Sequence, residues 1–175
     1  KNLVEAVNSM LSSYQERAAA GQIPLAEAKQ RALHTLKNIR YSTGQYFWVH
    51  DLTPTMLMHP VQSNLDGTNL TNFRDAAGRL LFVEMNQLVL RQQQGSISYL
   101  WPRPQGGDPE RKTSWVSLYQ PWNWVVGSGI YLDDLARDFT LIRKRLLISG
   151  ISAFGVMSLI AMYLVYRINK PVILA

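Results

Sequence analysis

The 175-residue sequence contains no cysteine. That excludes disulfide staples and thiolate metal sites, so the fold rests on its own apolar core. A bacterial periplasmic domain is compatible with this, but missing cysteine assigns no compartment by itself. Histidine is scarce: His34, His50 and His59 are the only three, and they show no ligand spacing. There is no glycine-rich phosphate loop and no Gly-x-Ser-x-Gly elbow. The adjacent carboxylates Asp133 and Asp134 fall at a strand-to-helix junction, where N-capping and the helix dipole account for them. Enzymatic chemistry has no anchor here, and no cofactor or metal is expected.

Unevenly distributed charge is the next feature. The formal net charge is +6. Residues 1–138 hold thirteen of the eighteen Lys and Arg and all twelve Asp and Glu, a net of +1. The other five positives, Arg143, Lys144, Arg145, Arg167 and Lys170, flank an apolar run. The basicity therefore belongs to that run, and nucleic acid is not an expected partner.

The run, residues 146–166, contains no charged side chain. At 1.5 Å rise per residue it is about 31 Å long, close to the hydrocarbon thickness of a bilayer. Tyr163 and Tyr166 stand near one end, as interfacial aromatics do. A membrane-spanning helix is expected there. The three positives before it and two after would, taken alone, put the module ahead of the run in the cytoplasm. An upstream span before Lys1 would change that count, so charge does not decide the orientation.

Along the chain, residues 1–19 read as a helix with Leu3, Val7, Met10, Tyr14 and Ala18 on one stripe. Gly21 ends it and Pro24 opens a second helix over 24–39, with Ala28, Ala32, Leu36 and Ile39 on one side. Strands are expected over 45–50 and 55–59, a turn-rich loop over 61–78, and a helix over 79–92. Three more strands follow over 95–101, 112–119 and 124–131, the last two joined by a short hairpin. A final helix begins near Leu132 and runs into the apolar segment. Five strands with helices on their faces imply an α+β fold around an antiparallel sheet.

Several segments, in order, carry a resemblance: Tyr46-Phe-Trp-Val49, Met56-Leu-Met-His-Pro60, Asp66-Gly-Thr-Asn-Leu70, Gly78-Arg-Leu-Leu-Phe82, Tyr99-Leu-Trp-Pro-Arg-Pro104, Lys112-Thr-Ser-Trp115, and Pro121-Trp122 through Asp133-Asp134. Over about residues 25–135 the chain resembles the single Cache sensor domain of bacterial methyl-accepting chemotaxis proteins. Arg167-Ile-Asn-Lys-Pro171 is similar to the start of a HAMP linker. The resemblance implies a PAS-like, five-stranded α+β domain over residues 1–138, outside the inner membrane. It further implies a dimerisation helix over 1–20, a transmembrane helix over 146–166, and a linker start over 167–175 leading to a cytoplasmic signalling domain. A small organic acid such as acetate, propionate, pyruvate or lactate is the ligand it implies, and a homodimer the assembly. The chain departs from the family pattern at Arg111, Ser117 and Asn123, where Pro, Lys and Gly are common.

A small carboxylate needs a cation or several N–H and O–H donors, and apolar walls that exclude water. Lys112 and Ser114 share one face of a strand. Trp48, His59, Tyr99, Trp101, Trp115 and Tyr119 can supply walls and donors. Period two sends Lys112 and Trp115 to opposite faces, so both line one pocket only if the strand is bulged or one caps an edge. Lys112 reads equally well as a solvated edge residue, and His59 as a satisfied core histidine. Arg74 and Arg103 are reserve cations. Two other readings stand beside the chemoreceptor sensor: the same sensor feeding a histidine kinase or a cyclic-nucleotide enzyme, and a membrane-anchored interaction domain without a small ligand.

Overall fold

The computed structural model describes residues 2–42, 44–131 and 154–167. The chain divides into two compact units, residues 1–132 and 133–175. The first unit holds three helices and six strands: α1 (Asn2–Ala19), α2 (Leu25–Asn38), β1 (Arg40–Tyr41), β2 (Gln45–Asp51), β3 (Met56–Met58), α3 (Leu81–Gln92), β4 (Gln94–Trp101), β5 (Glu110–Tyr119) and β6 (Trp124–Tyr131). In the second unit residues 154–167 are helical, with exposed side chains. Among the described residues no helix is long and apolar enough to cross a membrane. Most of the segment expected to leave the domain, residues 132–153, and the linker residues 168–175 lie outside the described residues.

The sheet is antiparallel, in the order β1-β2-β6-β5-β4, with β3 paired to β2. All five expected strands are present. The sixth is β1, two residues that pair with the start of β2 through Arg40↔Tyr46 and Tyr41↔Gln45. A two-residue strand is too short to register as an alternation, which is why five strands are expected and six are found. The last strand in sequence, β6, is the middle strand in space. It lies between β2 and β5, so whatever those two strands present on one face meets across it.

Period two separates the sheet into two faces. One carries Phe47, Val49, Trp124 and Val126 and is covered by α1 and α2 through Val4, Val7, Leu11, Ala28, Ala32 and Leu36. The helix stripe on α1 differs from the expected one by a small rotation. Val4, Val7 and Leu11 are buried, whereas Leu3 is 47% exposed and Met10, Tyr14 and Ala18 pack only at the margin. On α2 the expected Ala28, Ala32 and Leu36 are fully buried. The other face carries Tyr46, Trp48, Tyr99, Trp101, Val116 and Val125 and is covered by α3 and the loop ahead of it. Burying one Leu or Phe side chain contributes about 1.5–3 kcal/mol, so either face holds enough apolar surface to matter for folding.

Turn chemistry fixes the covering loop. Asp51 Oδ1 accepts the backbone N–H groups of Thr53 and Thr55 at 2.8 and 2.9 Å. Asp66 Oδ1 accepts that of His59 at 2.6 Å. The hairpin between β5 and β6 turns at Asn123, with φ 53°. Asparagine tolerates this left-handed conformation, which explains how it stands where glycine is common.

Candidate functional site

The site lies on the α3 side of the sheet and begins with one buried cation. Lys112 is 1% exposed, near the start of β5, opposite Tyr99 of β4 and Tyr131 of β6. Among the described residues no carboxylate pairs with it. Its Nζ instead lies 4.1 Å from the ring centre of Tyr46, 5.1 Å from that of Tyr131 and 5.4 Å from that of Trp48. Cation–π contact recovers part of the lost hydration, but not the several kcal/mol that burying an ammonium costs. Burial accordingly pushes the lysine down to about 7.

Other polar groups converge on the same space. The Tyr46 hydroxyl and Trp48 Nε1 are buried and make no hydrogen bond of good geometry, although Trp101 and Tyr131 lie close enough to act on the Tyr46 hydroxyl. Such groups cost about 1–3 kcal/mol each when left unsatisfied, and are rare enough in folded proteins to require an explanation. Burial raises the Tyr46 phenol well above its ordinary value, so it is an O–H donor at neutral pH. His59 is 2% exposed, and its Nδ1 accepts the backbone N–H of Gln62 at 2.9 Å and of Val61 at 3.3 Å. Those bonds put the proton on Nε2 and make the ring a neutral donor. Burial, then the charges of Lys112 and Arg40, push His59 down to about 3 and reinforce the neutral form.

Lys112, Trp48 and His59 line a cavity of about 10 Å³, room for at most a single water. The sheet and loop supply its polar wall through Trp48, His59, Tyr99, Trp101 and Lys112. Helix α3 supplies an apolar wall through Leu81, Phe82 and Met85. Glycines on β6 let the neighbouring side chains approach its backbone. A Cβ on Gly127 would lie 2.1 Å from the Trp48 indole, and one on Gly129 would lie 2.0 Å from Ser114 Oγ. The bare backbone is what lets Trp48 lie flat against the sheet. Ser114 Oγ and the Tyr99 hydroxyl share a hydrogen bond of 2.8 Å.

Six of the eight expected site residues therefore come together on one face: Trp48, His59, Tyr99, Trp101, Lys112 and Ser114. The other two do not join them. Trp115 and Tyr119 point to the α1–α2 face, where Trp115 Nε1 donates to Gln94 Oε1 at 3.4 Å and Tyr119 packs on Trp122. β5 is paired without a break to β6 from Lys112 to Tyr119 and to β4 from Glu110 to Ser117, and this regular register keeps the two sets apart. Of the reserve cations, Arg74 is exposed and donates to the Gly78 carbonyl at 2.6 Å. Arg103 is paired with Glu110 and lies 4.6 Å from the Tyr131 ring centre. Ser117 accepts a bond from Asn8 Nδ2 on the far face, so its departure from lysine leaves the cavity untouched.

Sequence reasoning missed Tyr46, Tyr131 and the α3 wall. Tyr46 was findable, because it shares a strand face with Trp48. Leu81, Phe82 and Met85 carry only a helical apolar stripe, which looks the same whether it covers a core or a cavity.

A sheet with one face sealed by helices and the other folded over a small cavity with a buried, unpaired cation defines a ligand-sensing module of the PAS-like class. The sequence matches the family described as Single Cache domain 2 over residues 1–144, and the chain belongs to that family. It is 35% identical to the methyl-accepting chemotaxis protein McpP of Pseudomonas putida over 171 residues, 98% of this chain and 31% of that protein. It is 33% identical over 109 residues to the sensor histidine kinase MctS of Rhizobium johnstonii, 62% of this chain and 23% of that protein. The chain thus spans less than a third of the length of these relatives. Among solved structures, the periplasmic sensor domain of a chemotaxis protein is 46% identical, with a TM-score of 0.73, covering 75% of this chain and 91% of that one. A Cache chemosensory domain whose structure is described as the basis for carboxylic acid recognition is 40% identical, with a TM-score of 0.73, covering 75% and 89%. The family is one of sensor domains, a non-enzymatic kind of module.

Proposed function

We propose that this chain is the ligand-binding part of a transmembrane chemoreceptor and that its ligand is a short monocarboxylate of the acetate, propionate, pyruvate or lactate type. One observation carries the reading: among the described residues Lys112 is buried at the cavity without a counter-ion, against Tyr46 and Trp48, whose Oη and Nε1 make no hydrogen bond of good geometry. A carboxylate supplies the missing charge and acceptors together. Propionate has five non-hydrogen atoms, which limits its binding to about 7.5 kcal/mol, near micromolar. That range suits reversible sensing.

Because the unliganded cavity holds at most one water, binding must push its walls outward. The middle strand β6 is the natural recipient. The ring centre of Tyr131, its last residue, lies 5.1 Å from Lys112 Nζ and 4.6 Å from the Arg103 guanidinium. Neutralising Lys112 changes the balance on that ring at the point where the chain leaves the sheet. The rest of the reading follows the sequence: residues 1–138 in the periplasm, a homodimer through residues 1–20, an inner-membrane span over 146–166, and a HAMP linker starting at 167. The likeness to a histidine-kinase sensor supports a second output for the same module.

Calorimetric titration of the chain in detergent with acetate, propionate, lactate and pyruvate tests the ligand class. Binding of at least one acid, lost in Lys112→Met, is expected. A folded wild-type chain that binds none of the four overturns the reading.

A further inference from the structure

The cavity is divided by element. All its polar groups come from the sheet and the His59 loop, and α3 contributes only Leu81, Phe82 and Met85. Among the described residues no acidic side chain lines it, so none there receives an ammonium group, and a second carboxylate would face hydrocarbon. A bound acid must therefore direct its carboxylate at Lys112 and its tail at α3.

That helix cannot retreat to make room. Asn86 bolts it to β2: its Oδ1 lies 3.0 Å from His50 Nε2, and its Nδ2 donates to the Asp51 carbonyl at 3.1 Å. Glu84 pairs with Arg79, whose Nη1 donates to the Ser98 carbonyl on β4 at 2.6 Å. Leu88 rests on Gly95 so closely that a Cβ there would lie 3.0 Å from it. With the helix pinned to both sides of the sheet, the depth of the cavity is set by the side chains that α3 projects. Met85 is the longest and most flexible of the aliphatic pair, and it is fully buried.

We infer that Met85 sets the longest acid the site accepts. This rests on the monocarboxylate reading above. Met85→Ala removes three heavy atoms from the far wall, and pentanoate is longer than propionate by two methylenes. Each buried methylene is worth roughly fourfold in affinity, so the pentanoate-to-propionate affinity ratio is expected to rise about fifteenfold. The ratio is the readout because partial unfolding scales both affinities alike. Val89→Ala, one turn along α3, equally buried but outside the cavity lining, is expected to leave the ratio unchanged. Should Met85→Ala fail to fold, Met85→Val gives an intermediate rise. An unchanged ratio in the Met85 variants, or an equal rise in Val89→Ala, overturns the inference while the monocarboxylate reading stands. A wild-type chain that binds neither acid overturns both.

Discussion

The two faces of this sheet use the same strands and opposite physical strategies. On the α1–α2 face apolar side chains interlock, and most polar groups are satisfied locally. Trp122 Nε1 donates to Gln15 Oε1 at 2.5 Å, and the Tyr41 hydroxyl meets Ser128 Oγ at 2.5 Å. On the α3 face Lys112 is buried with no carboxylate partner among the described residues, and Tyr46 Oη and Trp48 Nε1 make no hydrogen bond of good geometry. The first face supplies stability. The second holds a deficit that a ligand of the right charge and size can cancel. The difference explains how a small domain can be both well folded and responsive: the buried lysine and the unmatched donors beside it lie on one side of β6.

The comparison can be broken most severely at β6, the strand the faces share. Gly129→Val puts a branched side chain where even a Cβ lies 2.6 Å from the Thr113 carbonyl oxygen. Backbone cannot move aside cheaply, so a loss of roughly 3 kcal/mol or more is expected in urea unfolding, together with impaired signalling if the variant folds. A variant with wild-type stability and response would contradict the β6 route.

Next in size is Leu11→Ala on the stabilising face, where Leu11 is fully buried. It is expected to cost about 2–5 kcal/mol and to leave carboxylate affinity of the folded fraction unaltered. An affinity change would mean that the faces are coupled more tightly than the register implies.

Lys112→Met acts in the opposite direction. Replacing a buried, unpaired ammonium with a chain of similar shape is expected to raise the stability of the unliganded domain by about 1–4 kcal/mol while abolishing carboxylate binding. A destabilised variant in thermal melts would mean that the charge is already compensated.

The pH dependence sharpens the same point. Lys112 is held near 7 when folded and titrates at 10.5 when unfolded. Between those values the unfolded chain carries the extra proton, so stability of the unliganded domain rises with pH, by at most about 1.4 kcal/mol per unit. His50 and His59, pushed down by burial to about 4 and about 3, act with the same sign. Stability falls as pH drops below 6.5, where the unfolded chain takes up protons that the folded one refuses. A carboxylate needs Lys112 charged, so its affinity is expected to fall up to tenfold per pH unit above 7. Denaturation and titration series across pH 5–10 check both slopes.

The smallest expected effect is at the residues the register excludes. Trp115→Phe and Tyr119→Phe should change carboxylate affinity less than about twofold, because both side chains lie on the far face. A larger loss in calorimetry would place the site elsewhere.

The long elements and the antiparallel sheet were legible because amphipathic periods, Gly21, Pro24 and the strand alternation all agree. So was the Lys112–Ser114 face, which follows from period two alone. The sequence pattern left open whether Lys112 was solvated, because edge and centre strands differ only in pairing order, a long-range property. It also could not separate the α3 wall from ordinary core. The two-residue β1 and the one-position rotation of the α1 stripe lie below the resolution of periodic reasoning. Trp115 illustrates the opposite case: the alternation already excluded it from a regular-strand pocket with Lys112, and the unbroken register of β5 agrees.

The most direct test of the central claim is calorimetric titration of propionate into wild-type chain at pH 8, in buffers of differing ionisation enthalpy. The account predicts binding accompanied by net uptake of up to one proton, drawn onto Lys112 as its counter-ion arrives, and no heat with Lys112→Met. Binding that survives the substitution, or that takes up no proton, would contradict a buried lysine waiting for a carboxylate.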